Sequence, residues 1–196
     1  MNNPKAIRKV FHATVALAKN FNLIGGKLLA GDSTKLRAQN SKKNNFNPAK
    51  IERHIAYIDE KLSEYSNILA QQDQDLSQEN KSEIQTKANK HKQQRNKYEA
   101  YKKQLDETGE VQISTSDPDS RQLITRNNIT EVAYNVQTSV DAKHNIPIDF
   151  KVTNQNDSKA MGNMVRRAKT IIGSAGFTML YDKGYHTGTE FQYADK

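Results

Sequence analysis

Two short apolar runs, each ending on an aspartate, constrain the fold of this chain more than any other feature. Residues 28–31 lead into Asp32 and residues 177–181 lead into Asp182, and polar or charged residues follow both acids at once. Such runs are typical of buried strands, and a strand that closes on an acid carries its carboxylate to the rim of a sheet. Because Mg²⁺ prefers carboxylate oxygens, we predict that Asp32 and Asp182 share a site for a hard cation. The alternative is that each acid only forms a turn.

Alternation of residue type predicts a β-hairpin in the second half of the chain. Between residues 132 and 140 the even-numbered positions are Val, Tyr, Val, Thr and Val, and the odd-numbered ones are Ala, Asn, Gln and Ser. Apolar residues alternate again over residues 146–152. We predict that the apolar set faces the core and that Pro147 marks an edge strand. Asp141 and Asp149 are interpreted as turn and surface acids.

Helical spacing predicts helices beside these strands. Asn3-Pro4 is a favourable helix start, and Asp157-Ser158 is predicted to cap a later helix. One face of each helix is apolar: Ile7, Val10, Phe11, Thr14, Leu17, Ala18 and Phe21 in the first, and Met161, Met164, Val165, Ala168 and Ile172 in the second.

Residues 48–107 carry two heptad-like seams, which predict an antiparallel helical hairpin of coiled-coil type. A polar break from Gln71 to Asn80 separates them. The seams consist of Ile51, Ile55, Ile58, Leu62, Tyr65 and Leu69, and of Ile84, Ala88, His91, Arg95, Tyr98 and Leu105. The predicted fold class is therefore α/β (α+β), with a mixed sheet flanked by helices. Its core comprises residues 1–47 and 108–196, and residues 48–107 form the inserted helical hairpin.

The positive charge is concentrated in one segment. The chain carries a net charge of +8, and residues 1–47 hold nine Lys and Arg residues against a single acid, Asp32. A polyanion is the natural partner for such a segment, so we expect Lys35, Arg37, Lys42 and Lys43 to contact phosphates. The alternative is that the charge only aids solubility. The absence of Cys excludes disulfides and zinc–thiolate sites, and without an apolar run near 20 residues or a signal-peptide core we expect a soluble, intracellular protein.

The segments around the two acids resemble the catalytic domain of DDE-type transposases of bacterial insertion sequences, which have a ribonuclease H-like fold. The matching words are Ala30-Gly31-Asp32-Ser33-Thr34-Lys35-Leu36-Arg37-Ala38 and Tyr181-Asp182-Lys183-Gly184-Tyr185-His186. Residues 116–121 and 152–158 are also similar to the family. The resemblance covers essentially the whole chain. It implies that the strands of Asp32 and Asp182 are adjacent and that these acids are the first two catalytic residues.

The resemblance also implies a chemistry and a missing part. Three carboxylates of the family hold two Mg²⁺ ions, with Mn²⁺ as an alternative, for cleavage and transfer of double-stranded DNA at transposon ends. Lys183 would join the DNA-backbone contacts. The family's third acid is a downstream Glu that this chain does not match, since Glu190 lies too close to Asp182. We therefore expect a chain truncated at both ends and inactive alone, associated with the bacterial nucleoid in the cytoplasm.

Two alternatives remain open. One is a catalytically dead remnant that binds nucleic acid or forms homo-oligomers, with residues 50–107 as its interaction element. The other is a ribonuclease H-like nuclease unconnected with transposition.

Overall fold

The computed structural model describes residues 3–71, 78–125 and 129–195. In chain order its helices and strands are α1 (Pro4–Asn20), β1 (Leu28–Arg37), β2 (Asn45–Phe46), α2 (Pro48–Gln71), α3 (Gln78–Thr108), β3 (Ile113–Ser114), β4 (Arg121–Ile124), β5 (Thr130–Asp141), β6 (Ile146–Thr153), α4 (Met161–Ile172), β7 (Thr178–Leu180) and α5 (Gly188–Asp195). None of the helices in these ranges is both long and apolar enough to cross a membrane.

The chain divides into two compact units. One comprises Met1–Ala38 with Ser120–Lys196, and the other comprises Gln39–Asp119. The second unit is larger than the predicted insertion because β2 and β3 pair at the base of its helices, with Phe46 opposite Ile113. This pairing adds residues on both sides of the helical segment.

The first unit is built on a mixed sheet, as predicted. Strand β1 pairs antiparallel with β5 on one side and parallel with β7 on the other. Strands β4 and β6 pair antiparallel with opposite ends of β5. Within the described residues β6 pairs only with β5, so Pro147 lies on an edge strand as its ring requires.

Strand β1 is longer than its apolar run, which corrects the predicted place of Asp32. The acid lies in the middle of a ten-residue strand and on its exposed side. Pairing with β5 continues from Leu29 to Arg37, so the polar residues after Asp32 also belong to the strand. Asp32 therefore does not close a buried strand. Asp182 does follow the end of β7, but Thr178 and Leu180 of that strand are exposed.

Val132 of the predicted core-facing set is buried, but from residue 134 onwards the buried side of β5 is the polar one, opposite to the prediction. Asn135, Gln137 and Ser139 are at most 1% exposed, whereas Val136 and Val140 are only half-buried. Helices α1 and α4 cover this polar side of the sheet. Val15 of α1 and Ala168 of α4 form a core there with Leu29 and Ile148. Coverage by these helices, rather than residue type, decides which side of β5 is buried.

The helices of the first unit differ from the prediction in two respects. Ile7, Val10, Leu17 and Phe21 of the predicted apolar face of α1 are 54–67% exposed. The helix packs through Phe11, which belongs to the predicted face, and through Val15, which does not. Asp157 does not cap α4, because it begins a short 3₁₀ turn and α4 starts at Met161. The predicted stripe of α4 is confirmed, since Met161, Met164, Val165 and Ala168 are buried.

The second unit contains the predicted antiparallel helical pair. Residues of both seams are buried or half-buried, including Ile51, Ile58 and Leu105. Ion pairs join Arg95 of α3 to Asp59 of α2 and Lys102 to Glu52, and this opposite order along the two helices is antiparallel. His54 stacks on Tyr98 with ring centroids 4.7 Å apart, so its ring contributes to the packing between the two helices. Residues 72–77 of the predicted polar break lie outside the described residues.

Candidate functional site

Asp32 and Asp182 occupy matching positions on neighbouring strands. The parallel register pairs Leu28 with Thr178 and Ala30 with Leu180. Continued for two more residues, the same register sets Asp32 opposite Asp182. The ladder itself ends at Leu180, so the register places the two acids at corresponding positions of neighbouring chain segments just beyond it; neighbouring strands lie about 4.8 Å apart.

A glycine in β1 explains how the second acid is directed. A Cβ on Gly31 would lie 2.0 Å from Cε1 of Tyr181, so the Tyr181 ring fills the space over this glycine on the buried side of β1. Asp182 follows Tyr181 with extended dihedral angles (φ −74°, ψ 172°). Successive side chains of extended backbone point to opposite sides, so Asp182 is directed to the exposed side, where Asp32 lies.

Both carboxylates are exposed and only partly hydrogen-bonded. The Ser33 amide donates to Asp32 Oδ1 at 2.7 Å, and the Gly184 amide donates to Asp182 Oδ1 at 2.9 Å. Within the described part of the chain, neither Oδ2 atom accepts a hydrogen bond from the protein. Each acid thus keeps one oxygen available to a cation, and exposed carboxylates with accompanying water suit Mg²⁺.

The described residues contain no cluster of three or more acidic or histidine side chains that could hold a metal ion. Glu190, the nearest acid after Asp182 along the described chain, has a different position. It is buried, and its Oε2 accepts the Gly162 amide at 2.7 Å at the start of α4. A carboxylate there satisfies a helix-terminal N–H and complements the helix dipole. The described residues therefore do not supply the three carboxylates of a two-ion site, and Asp32 and Asp182 are the candidate ligands that remain.

Both acids lie near a buried tyrosine that sequence reasoning left without a role. Tyr185 is 1% exposed, and its hydroxyl donates to Gln137 Oε1 at 2.7 Å. Burial raises the pKa of Tyr185, a hydrogen bond with Ser33 opposes this, and three nearby carboxylates raise the pKa further: Asp157, Asp32 and Asp182. The hydroxyl is therefore held protonated as the hydrogen-bond donor to Gln137.

Lys35 lies in an internal ion pair rather than on the free surface expected of a phosphate contact. Its ammonium group donates to Asp157 Oδ2 and, at 2.7 Å, to Ser33 Oγ. Its side chain is 16% exposed. Asp157 neutralises this charge inside the first unit, so we remove Lys35 from the set of proposed DNA contacts.

The other predicted DNA contacts are exposed and divide between the two units. Arg37 is 78% exposed on β1 and lies 3.4 Å from Glu131 Oε1. Lys183 follows Asp182 directly and is exposed. Lys42 and Lys43 form an exposed 3₁₀ turn in the second unit, where Lys50 Nζ binds both of their carbonyl oxygens.

Two acids interpreted as turn and surface residues are fully buried, which corrects that interpretation. Asp141 lies at the predicted turn, but its carboxylate accepts the amides of Gly25, Gly26 and Lys143. Asp149 is 0% exposed and accepts two hydrogen bonds from Arg167. The register shift next to Val140 leaves Ile148 as an extra residue on β6, so Ile148 and Asp149 are both buried and the alternation fails by one residue.

Comparisons of the chain with protein-family models, with curated proteins and with solved structures find no match. The assignment of a function therefore rests on the residues and on the geometry described above. The polar residues around Tyr185 are the part of the site that sequence reasoning missed. Their signal in the sequence is the run of polar residues at alternate positions of β5.

Proposed function

We propose that this chain carries the first two metal-binding acids, Asp32 and Asp182, of a DDE-type transposase domain with a ribonuclease H-like core. The observation that carries the proposal is the parallel pairing of β1 with β7, whose register, continued by two residues, would set Asp32 opposite Asp182. The family resemblance implies this adjacency, which periodicity alone could not establish. Exposure of both acids and their available oxygens support it further.

The proposed chemistry follows from what the two acids can hold. A bound Mg²⁺ or Mn²⁺ would supply Lewis-acid activation of a phosphodiester group. Asp32 and Asp182 would hold this cation through their Oδ2 atoms, and Lys183 would attract the DNA backbone beside them. Because two carboxylates leave the cation incompletely held, we expect no DNA cleavage by this chain alone.

Cation binding tests the site directly. We expect the chain to bind Mn²⁺ in a titration followed by electron paramagnetic resonance, and we expect Asp32→Asn and Asp182→Asn each to abolish this binding. Asp106→Asn is the matched control, because Asp106 is an exposed acid of the second unit. Equal Mn²⁺ binding by all four proteins would refute the proposed site.

We further propose that exposed cations bind the DNA backbone without reading sequence. Each phosphate contact adds roughly 0.9 to the slope of log affinity against log salt concentration, so neutralising four contacts lowers that slope by at most about 4. The variant replaces Arg37, Lys42, Lys43 and Lys183 with Gln. The control replaces four exposed cations of α3: Lys87, Lys90, Lys92 and Lys103.

The two assays separate the proposed function from its alternative. A smaller slope in the first variant than in the control, together with Mn²⁺ binding, supports the transposase proposal. Binding of DNA without any binding of Mn²⁺ favours the alternative of a nucleic-acid-binding remnant without catalytic chemistry. Equal slopes in the variant and its control would place the phosphate contacts elsewhere.

A further inference from the structure

A chain of buried and partly buried hydrogen bonds links the two segments that carry the candidate acids. It begins at Tyr185, three residues after Asp182, whose hydroxyl donates to Gln137 Oε1 at 2.7 Å. Gln137 Nε2 in turn donates to Asp157 Oδ1 at 2.8 Å. The chain continues through Lys35, which binds both Asp157 Oδ2 and the Ser33 hydroxyl. Ser33 is the residue directly after Asp32.

The centre of this network is Asp157, and its charge is well satisfied. Asn135 Nδ2 donates to the same Oδ1 atom at 2.8 Å and to the Gln155 carbonyl oxygen at 2.8 Å. Burial alone would raise the pKa of Asp157, but hydrogen bonds hold it below its usual range; they come from Lys35, Asn135, Ser33 and Gln137. The carboxylate is therefore an ionised acceptor that ties β1, β5 and the turn before α4 together.

We propose that Asp157, Gln137 and Tyr185 are positioning residues that hold the Asp182 turn against the Asp32 strand. That the two acids form a metal site rests on the proposed function, whereas the hydrogen bonds that link their segments do not depend on it. Strand β7 contributes only three residues to the pairing with β1, so its ladder ends before Asp182. Beyond Leu180 the backbone no longer pairs with β1. The hydrogen bond from Tyr185 to Gln137 fixes the chain there, three residues after Asp182.

Loss of one hydroxyl group tests this role with little change in packing. Tyr185→Phe keeps the ring, which packs with Met161 and Val165, and removes the donor to Gln137. Tyr181→Phe is the matched control, because Tyr181 lies in the same cluster and, among the described residues, its hydroxyl hydrogen-bonds only to Met179 Sδ, at 3.5 Å. Outer partners of metal ligands typically contribute 10–100-fold in affinity. We expect Tyr185→Phe to weaken Mn²⁺ binding by about tenfold and Tyr181→Phe to leave it unchanged.

A second measurement reads the position of the turn without a metal. The Gly184 amide donates to Asp182 Oδ1, so its hydrogen exchange, followed by nuclear magnetic resonance, reports whether the turn keeps its shape. We expect faster exchange at Gly184 in Tyr185→Phe than in the wild type and in Tyr181→Phe. Asp157→Asn should act in the same direction, because it weakens the centre of the network.

The outcomes distinguish this proposal from the proposed function. Wild-type Mn²⁺ binding that Tyr185→Phe leaves intact would overturn the positioning role and keep the metal site. Absence of Mn²⁺ binding in the wild type would refute the metal site, and Gly184 exchange would then decide the positioning role. Unchanged Gly184 exchange in Tyr185→Phe would overturn it. A loss of unfolding free energy in Tyr185→Phe with unchanged Mn²⁺ affinity and exchange would show a merely structural tyrosine.

Discussion

The buried ion pair between β6 and α4 makes a quantitative test of how the first unit is held together. Asp149 is 0% exposed and accepts Arg167 Nε at 2.5 Å and Nη2 at 2.6 Å. His12 Nε2 also lies 3.6 Å from Oδ1, beyond hydrogen-bonding distance. Replacement of Arg167 with Met therefore leaves a carboxylate buried in the core without its partner.

The expected loss follows from the geometry of the pair. Removal of one partner of a buried ion pair costs about 3–5 kcal/mol. Because the Arg167 side chain is 25% exposed, we expect the lower end, about 3 kcal/mol. Replacement of both residues, Asp149→Leu with Arg167→Met, should recover most of this loss, since an apolar pair of similar volume is often as stable as a buried ion pair. Arg166→Met is the control, because Arg166 is the exposed neighbour on the same helix.

Hydrogen exchange of native protein measures this loss in the first unit alone. The amides of β5 and β6 should lose about 3 kcal/mol of protection in Arg167→Met, whereas the amides of α2 and α3 should keep theirs. A loss below about 1 kcal/mol, the size expected for an exposed pair, would show that Asp149 does not depend on Arg167. A double variant that is less stable than Arg167→Met would contradict the argument from an unpaired charge.

Two further predictions concern the site. The lowered pKa of Asp157 stabilises the fold above the unfolded value near 3.9, and this contribution is lost as pH falls through the folded value. Unfolding followed by near-ultraviolet circular dichroism should therefore show that the free energy of unfolding decreases less steeply below about pH 4 in Asp157→Asn than in the wild type. Gly31→Ala should cost about 1–3 kcal/mol in the same assay, because its Cβ would clash with the Tyr181 ring. Gly188→Ala, which meets open space, should change stability by less than about 0.5 kcal/mol; equal losses in the two glycine variants would refute the clash.

Local patterns were sufficient for the helical unit and for the identity of most strands. The seams of α2 and α3 were predictable because heptad spacing sets the buried face of a helix pair within a few turns. The α4 stripe was predictable for the same reason. In contrast, the length of β1 depends on a partner almost 100 residues away, because β5 pairs with it as far as Arg37. No window of the sequence around Asp32 contains that information.

Long-range coverage explains the errors in burial. The exposed face of α1 and the buried one are both rich in apolar residues, so periodicity could not choose between Leu17 and Val15. On β6, one extra residue at the bulge directs the Asp149 side chain to the buried side of the sheet. A strict two-residue period cannot detect such a shift. In each case the error arose where a contact between distant segments, rather than local residue type, decided burial.

The polar side of β5 links these errors to the candidate site. A core selected for stability alone would carry apolar residues at positions 135, 137 and 139, because buried polar groups must recover their lost hydration through hydrogen bonds. Here that recovery is incomplete among the described residues: Asn135 Oδ1 and Ser139 Oγ are buried without a hydrogen-bond partner. Such departures from an apolar core concentrate at functional or strained sites. Gln137 lies two residues from both Asn135 and Ser139 along β5 and connects Asp157 to Tyr185. The polar residues that lower the stability of this strand therefore lie in the same place as the hydrogen-bond network between the segments of Asp32 and Asp182.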